Sequence, residues 1–200
     1  MKIYGVRIET VEQLPCEFIK SLMPKRYERS EKYLRKADQL RCLGAGLLMH
    51  RVLGVKESEL LYGEYGKPYV PGMSGFSVSH GGDWAVLATK SHVTGVDIEP
   101  MDYDNLSVAN RVFTDRELHW MRQDPLVRFH ILWTLKESVM KATGLGLQLD
   151  PICFEVIPES NISCVEGTTW HTAWMLHDGC AVACASDTRI EKLTFTEIFF

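Results

Sequence analysis

Two hundred residues suffice for one large domain or two small ones, and 46% hydrophobic with 24% charged residues is ordinary globular composition. Twenty-two basic against 26 acidic residues leave a net charge of −4, which argues against binding nucleic acid through bulk charge. The opening MKIYGVRIET carries charges through its apolar run, unlike a signal peptide, and no apolar stretch is long enough to span a bilayer. The expectation is a soluble cytoplasmic protein that works away from membranes.

Lys2 to Glu9 alternates loosely between apolar and polar residues and reads as a strand. A charged helical region runs from Pro24 to Leu53, with a break near Ser30. Its first part supplies Lys25, Arg26, Arg29, Lys32, Arg35 and Lys36, and its second carries Arg41 beside an apolar face of Leu40, Leu43, Leu47, Leu48 and Val52. Gly44 and Gly46 inside that helix each cost roughly 1 kcal/mol against Ala, so they mark weak points or close backbone approach. Glu64 to Tyr69 is a turn that holds up Lys67. Phe76 to His80 and Asp83 to Lys90 read as strands around Gly81-Gly82, and Gly95 to Pro100, GVDIEP, as a third.

The polar loop from Met101 to Ser107 divides the chain into halves, 1–102 and 103–200. Thr114 to Glu117 has capping-box form and predicts a helix start. From Arg128 the chain reads RFHILWTLKESVMKATGLGL. Leu132, Leu135, Val139 and Ala142 make the core stripe of a helix that Gly144 ends. Trp133, Glu137 and Lys141 share a second stripe, turned roughly 180° from the first, and Lys136 is expected with them on the side away from the core. The tail alternates β-like runs, CFEVI, TTWHTAWML, GCAVACAS and LTFTEIF, with turns. DWAVLATK resembles GCAVACAS, which hints at two related α+β halves with a site between them. The cysteines, Cys16, Cys42, Cys153, Cys164, Cys180 and Cys184, form no CxxC pair and read as free thiols.

Asp97 and Glu99 fall on one face of an apolar strand, their Cβ atoms about 6 to 7 Å apart. Two such acids repel unless something positive compensates, and a hard cation such as Mg²⁺ takes carboxylate oxygens. Glu137 would be a third ligand. Phosphate chemistry also needs cations, which Arg26, Arg29, Arg41, Lys67, Lys136 and Lys141 offer, and His80 after Ser79 could donate to a phosphate. Singly, each of these residues reads as a solvated charge or a structural histidine. Glu117 is ambiguous: its place in the capping box already accounts for it, and a functional role stays open beside that.

GVDIEP, forty positions from Asp97 to Glu137, then WTLKESVMK, resembles the paired signature of the 4'-phosphopantetheinyl transferases, (I/V)G(I/V)DIE followed by W-x-x-KE-x-x-x-K. The MKIYG start, the Arg41 helix, EYGKP and the Ser-His run extend the likeness to the type that activates surfactin synthetase, over most of residues 1–155. The resemblance implies an enzyme that moves the phosphopantetheine arm of coenzyme A onto a serine of an apo acyl or peptidyl carrier protein and releases adenosine 3',5'-bisphosphate. It implies an α+β pseudodimer with the coenzyme between its halves. By motif position, Asp97, Glu99 and Glu137 would hold Mg²⁺. Arg26, Arg29, Arg41, Lys67, Ser79 and His80 would bind the coenzyme, with Arg26 and Arg29 standing where lysines are more usual. Lys141 would meet the attacked phosphate; Glu137 is the candidate base, directly or through a bound water, with activation of the serine by the metal as the alternative.

Two other readings stand beside it: an Mg²⁺-dependent phosphohydrolase acting on nucleotides, and a binding module for coenzyme A or its carrier that has lost activity. Small trimeric carrier-protein synthases share the signature on much shorter chains, so the length favours a fused monomer. The carrier is expected to dock between Met101 and Asp124.

Overall fold

The computed structural model describes residues 1–90, 92–102 and 104–200; Ser91 and Tyr103 lie outside the described residues, Tyr103 being part of the loop expected to divide the halves. Strand β1 (Lys2–Arg7) forms where the alternating start predicts it. Helices α1 (Ile8–Glu12) and α2 (Cys16–Leu22) follow, too short for a helical period to reveal them. The charged region becomes α3 (Pro24–Ser30) and α4 (Lys36–Leu53), with the expected break between them.

The EYGKP turn caps a hairpin of β2 (Leu61–Tyr62) and β3 (Pro68–Tyr69). Strands β4 (Phe76–Gly81), β5 (Trp84–Thr89) and β6 (Thr94–Pro100) stand where the sequence puts them. After α5 (Ala109–Val112), Thr114 caps α6 (Asp115–Met121) in a full capping box with Glu117. Helix α7 (Pro125–Thr143) starts earlier than the hydrophobic stripe alone shows, because Asp124 caps the Val127 amide, and it ends at Gly144 with φ 81°.

The tail gives β7 (Ile162–Val165), β8 (Thr168–His177), β9 (Cys180–Ser186) and β10 (Thr194–Glu197). CFEVI, expected as a strand, is not one: Pro151–Cys153 is a 3₁₀ turn and only Ile157 makes an isolated bridge, to Ile162. Phe154 and Val156 are buried, alternating as a strand's residues would. Its polar backbone is taken by side chains instead, the Phe154 carbonyl by Lys136 and the Val156 amide by Glu117.

Two four-stranded sheets result, in the orders β10-β1-β5-β4 and β6-β9-β8-β7, an α+β fold as expected. Leu43, Leu47 and Leu48 of α4 bury against Ala85 and Leu87 of the first sheet. Leu132, Leu135 and Val139 of α7 do the same against Ala181, Ala183 and Ala185 of the second. Between the sheets lies a third core of Ile3, Val86, Val96, Ile98, Val182 and Cys184. Each fully buried Leu, Ile or Val stabilises by about 1.5–3 kcal/mol. The two similar runs, in β5 and β9, both occupy interior strands whose alternate residues face a helix and the opposite sheet.

The sheets exchange strands relative to chain order. β6 joins the second sheet through β9, and β10 returns from the tail to run parallel to β1. β4 and β6 therefore meet at a seam between the sheets. There the Val96 amide donates to Ser77 Oγ at 3.1 Å, and a Cβ on Gly81 would lie 2.3 Å from the Ile98 carbonyl oxygen. Among the described residues, no helix is long and apolar enough to cross a membrane.

Candidate active site

The seam brings Ser79 of β4 against Asp97 of β6, and α7 lays Lys141 across both. Ser79 Oγ donates to Asp97 Oδ1 at 2.7 Å, and Lys141 Nζ donates to the same oxygen at 2.5 Å and to Ser79 Oγ at 2.8 Å. Asp97 is 2% exposed, and its other oxygen, Oδ2, is buried without a hydrogen-bond partner among the described residues. An orphaned carboxylate oxygen in a dry site is costly unless a ligand completes it.

Glu99, two residues along β6, and Glu137 of α7 face the same cavity of about 350 Å³. Burial, then the Asp97 and Glu137 charges, push the Glu99 carboxyl up to about 7, with a hydrogen bond from Trp133 and the charge of Lys141 opposing. Burial and then Asp97 also raise Glu137. Three carboxylates are thus gathered at one wall with too little positive charge to hold all of them ionised comfortably.

An all-oxygen carboxylate set with one orphaned oxygen suits a hard cation. The cage is not closed, however: among the described residues no three His, Cys, Asp or Glu side chains are already grouped as metal ligands. The Lys141 ammonium occupies Asp97 Oδ1, the place a metal would share.

The same cavity is lined by Arg26, Arg29 and His80, with Ser79 on the Asp97 side. Arg26 is 9% exposed, and its guanidinium donates to the Cys42 carbonyl at 3.2 Å and the Tyr62 hydroxyl at 3.4 Å. Gly46 makes room for it: a Cβ there would fall 2.3 Å from Arg26 Cδ, which shows that this glycine serves close approach. His80 sits at the mouth, where the surrounding protein, then Lys141 and Arg41, hold it below its ordinary titration range.

Arg41 and Lys67 stand apart from this cavity. Arg41 pairs with Asp38 at 2.6 Å and donates to the Gly82 carbonyl, behind His80. Lys67 Nζ donates to the Thr94 and Ala142 carbonyls at 3.1 and 3.0 Å, clipping the start of β6 to the last turn of α7. Burial pulls its ammonium down to about 8. Its stem lines a second cavity of about 500 Å³, which shares Gly66, Pro68, Val78, Glu137 and Lys141 with the first.

Lys136 is a correction. Expected on the side away from the core among the free cations, it is fully buried and pairs with Glu117 at 2.9 Å. α7 is covered on nearly every side, so the stripe opposite its core face narrows to Trp133, Glu137 and Lys141. Sequence reasoning also missed Tyr33 and Tyr62 as cavity walls, and Trp133 as a donor to Glu99. Trp133 carried a usable signal, its place on the stripe of Glu137 and Lys141. Tyr62 lies in an exposed hairpin with no period to read.

The profile of the 4'-phosphopantetheinyl transferase superfamily matches residues 94–185, the span from β6 to β9 that contains the carboxylates and α7. A 4'-phosphopantetheinyl transferase of Bacillus subtilis is 31% identical over 78% of this chain and 76% of its own length. The 4'-phosphopantetheinyl transferase gsp of Aneurinibacillus migulanus is 32% identical over 59% of this chain and 54% of its own. An L-aminoadipate-semialdehyde dehydrogenase-phosphopantetheinyl transferase of Xenopus laevis is 33% identical over 68% of this chain and 55% of its own. With a match of that depth over three quarters of a relative, and Asp97, Glu99, Trp133, Glu137 and Lys141 on the walls of one cavity, the chain belongs to the 4'-phosphopantetheinyl transferase superfamily.

Proposed function

We propose that this protein transfers the 4'-phosphopantetheine group of coenzyme A to a serine of an apo acyl or peptidyl carrier protein. The observation that carries the proposal is the Asp97, Ser79 and Lys141 knot at the seam, in a cavity that Glu99, Glu137, Arg26, Arg29 and His80 also line. Cations and carboxylates lining one cavity suit a pyrophosphate that must be both held and polarised. The two sheets read as the halves of a pseudodimer with the coenzyme between them. The chain division at 102/103 is kept in that reading, with β6 and β10 exchanged across it.

In this mechanism the serine oxygen bonds to the phosphorus that carries the pantetheine arm. The bridging P–O bond of the pyrophosphate breaks, and adenosine 3',5'-bisphosphate leaves. The serine proton passes to Glu137, which faces the cavity and whose affinity for protons burial and then Asp97 raise. Lys141 turns from Asp97 to the attacked phosphate and stabilises the charge that develops there. Arg26, Arg29, Ser79 and His80 hold the nucleotide end, with Arg41 buttressing His80 and Lys67 securing the cavity wall. Asp97, Glu99 and Glu137 would hold Mg²⁺, which when bound neutralises pyrophosphate oxygens. The protein works as a cytoplasmic monomer, and the carrier docks between Met101 and Asp124.

Chromatography of the nucleotide product tests this. Adenosine 3',5'-bisphosphate should appear with an apo carrier and vanish when the carrier's serine is replaced by alanine. Release that ignores the acceptor would overturn the transferase reading in favour of a hydrolase.

A further inference from the structure

Lys136 and Glu117 are both 0% exposed and touch neither cavity. Lys136 Nζ donates to Glu117 Oε2 at 2.9 Å, to the Pro151 carbonyl at 2.6 Å and to the Phe154 carbonyl at 2.5 Å. All three ammonium protons are used. The Glu117 carboxylate accepts in addition from the Thr114 amide at 2.9 Å and the Val156 amide at 2.8 Å. One saturated pair therefore fastens the first turn of α6, the 151–156 segment and the middle of α7.

Glu137 is the next residue on α7, so any rotation or slide of the helix that displaces its carboxylate also drags the Lys136 ammonium. That ammonium sits in a fixed cage of three acceptors, and pulling a buried charge from its partners is strongly unfavourable. Other polar anchors hold α7 nearer its ends: the Asp102 amide donates to His130 at 3.4 Å, and Lys67 holds the Ala142 carbonyl. A hydrophobic stripe alone sets a helix face only loosely, since Leu and Val surfaces tolerate small slides, whereas five directional bonds do not.

We infer that Lys136 and Glu117 are positioning residues for Glu137: the buried pair sets the angle and depth at which that carboxylate enters the cavity. The inference rests on the proposed role of Glu137 as base. It assigns to the lysine of the KE pair a task inside the fold instead of one on the substrate.

The test is the double variant Glu117→Gln/Lys136→Met, which removes both charges together and so avoids a lone buried ion. It should fold, with its thermal midpoint within a few degrees of wild type and its coenzyme A dissociation constant within threefold. Its kcat for transfer should fall about tenfold or more while the KM for coenzyme A holds, the mark of a misplaced base. Glu117→Gln/Lys136→Gln, which also leaves no buried charge and keeps an amide to donate to the Pro151 or Phe154 carbonyl, should show a smaller fall in kcat, again with KM unchanged. It supplies the same reading if Glu117→Gln/Lys136→Met fails to fold.

A crystal structure of the folded variant, set beside one of wild type, should find the Glu137 carboxylate displaced. That measurement does not need the reaction: if wild type moves nothing onto any carrier, the functional proposal falls while a displaced Glu137 still supports the pair's role in placing it. A folded variant with wild-type kcat, or with Glu137 unmoved, would overturn the inference.

Discussion

Lys136 and Lys141 leave the same helix and meet carboxylates at similar distances, yet their surroundings differ in kind. Lys136 and Glu117 are sealed from water, and every donor and carboxylate oxygen of the pair has a partner. Lys141 is 29% exposed at the side chain, and its partner Asp97 keeps one buried oxygen that accepts from none of the described residues. A saturated pair has nothing left to offer a ligand. An unsaturated one beside a cavity is poised to exchange its partner for phosphate or metal. Both lysines lie within one signature, and only the bonding around them separates the structural role inferred for one from the reactive role proposed for the other.

The largest effect expected is at the reactive end. Glu137→Gln should lower transfer by about 10²- to 10⁴-fold, the usual worth of a general base, while leaving most coenzyme affinity. Single-turnover rates together with calorimetric binding would measure both, and near-normal turnover would remove Glu137 from the mechanism.

At the saturated end, Lys136→Met alone should destabilise the fold by about 3–5 kcal/mol, because Glu117 is left buried and uncompensated. Urea denaturation reads this directly. A loss below about 1 kcal/mol would mean that the pair is less isolated from water than its geometry indicates.

Lys141→Met sharpens the comparison from the other side. Removing the ammonium that occupies Asp97 Oδ1 should tighten Mn²⁺ binding to the coenzyme-free protein by about tenfold, or 1.4 kcal/mol, even as transfer falls. Unchanged or weaker binding, measured by electron paramagnetic resonance of free Mn²⁺, would show that lysine and metal do not compete for that oxygen.

The smallest effect is on pH dependence. Glu99 titrates at about 7 in the folded protein against 4.5 ordinarily, so between these values the folded state holds a proton that the unfolded chain has lost. This contribution to stability is fully present below 4.5 and is lost as pH rises through 7. Thermal midpoints from pH 5 to 8 should fall more for wild type than for Glu99→Gln, by a few degrees at most. Parallel curves would contradict the crowding of carboxylates at this wall.

Much of this was legible in the sequence because periodicity and local chemistry carried it. The core stripe of α7, its Gly144 stop, the capping box at Thr114 and the three strands before residue 101 all depend on near neighbours. Long-range commitments were not legible. Nothing near Lys136 announces that it meets Glu117, nineteen positions earlier, or that these two side chains take the backbone groups that CFEVI would have used in a strand. Likewise β10 pairs with β1 across almost the whole chain, a pairing that no local pattern encodes. At the site, the carboxylates and Lys141 could be found from signature spacing. Arg41 and Lys67, chosen by the same resemblance, make their hydrogen bonds behind the cavity wall instead of into it.

The central claim is that the knot of Asp97, Ser79 and Lys141 at the seam serves phosphopantetheine transfer. Intact-protein mass spectrometry of an apo carrier protein incubated with this protein, coenzyme A and Mg²⁺, beside an Asp97→Ala variant, tests it most directly. The account predicts a mass gain of one phosphopantetheine with wild type and none with the variant. An equal gain with both would contradict the place given to Asp97, and no gain with wild type on either fatty-acid or peptide-synthetase carriers would contradict the function itself.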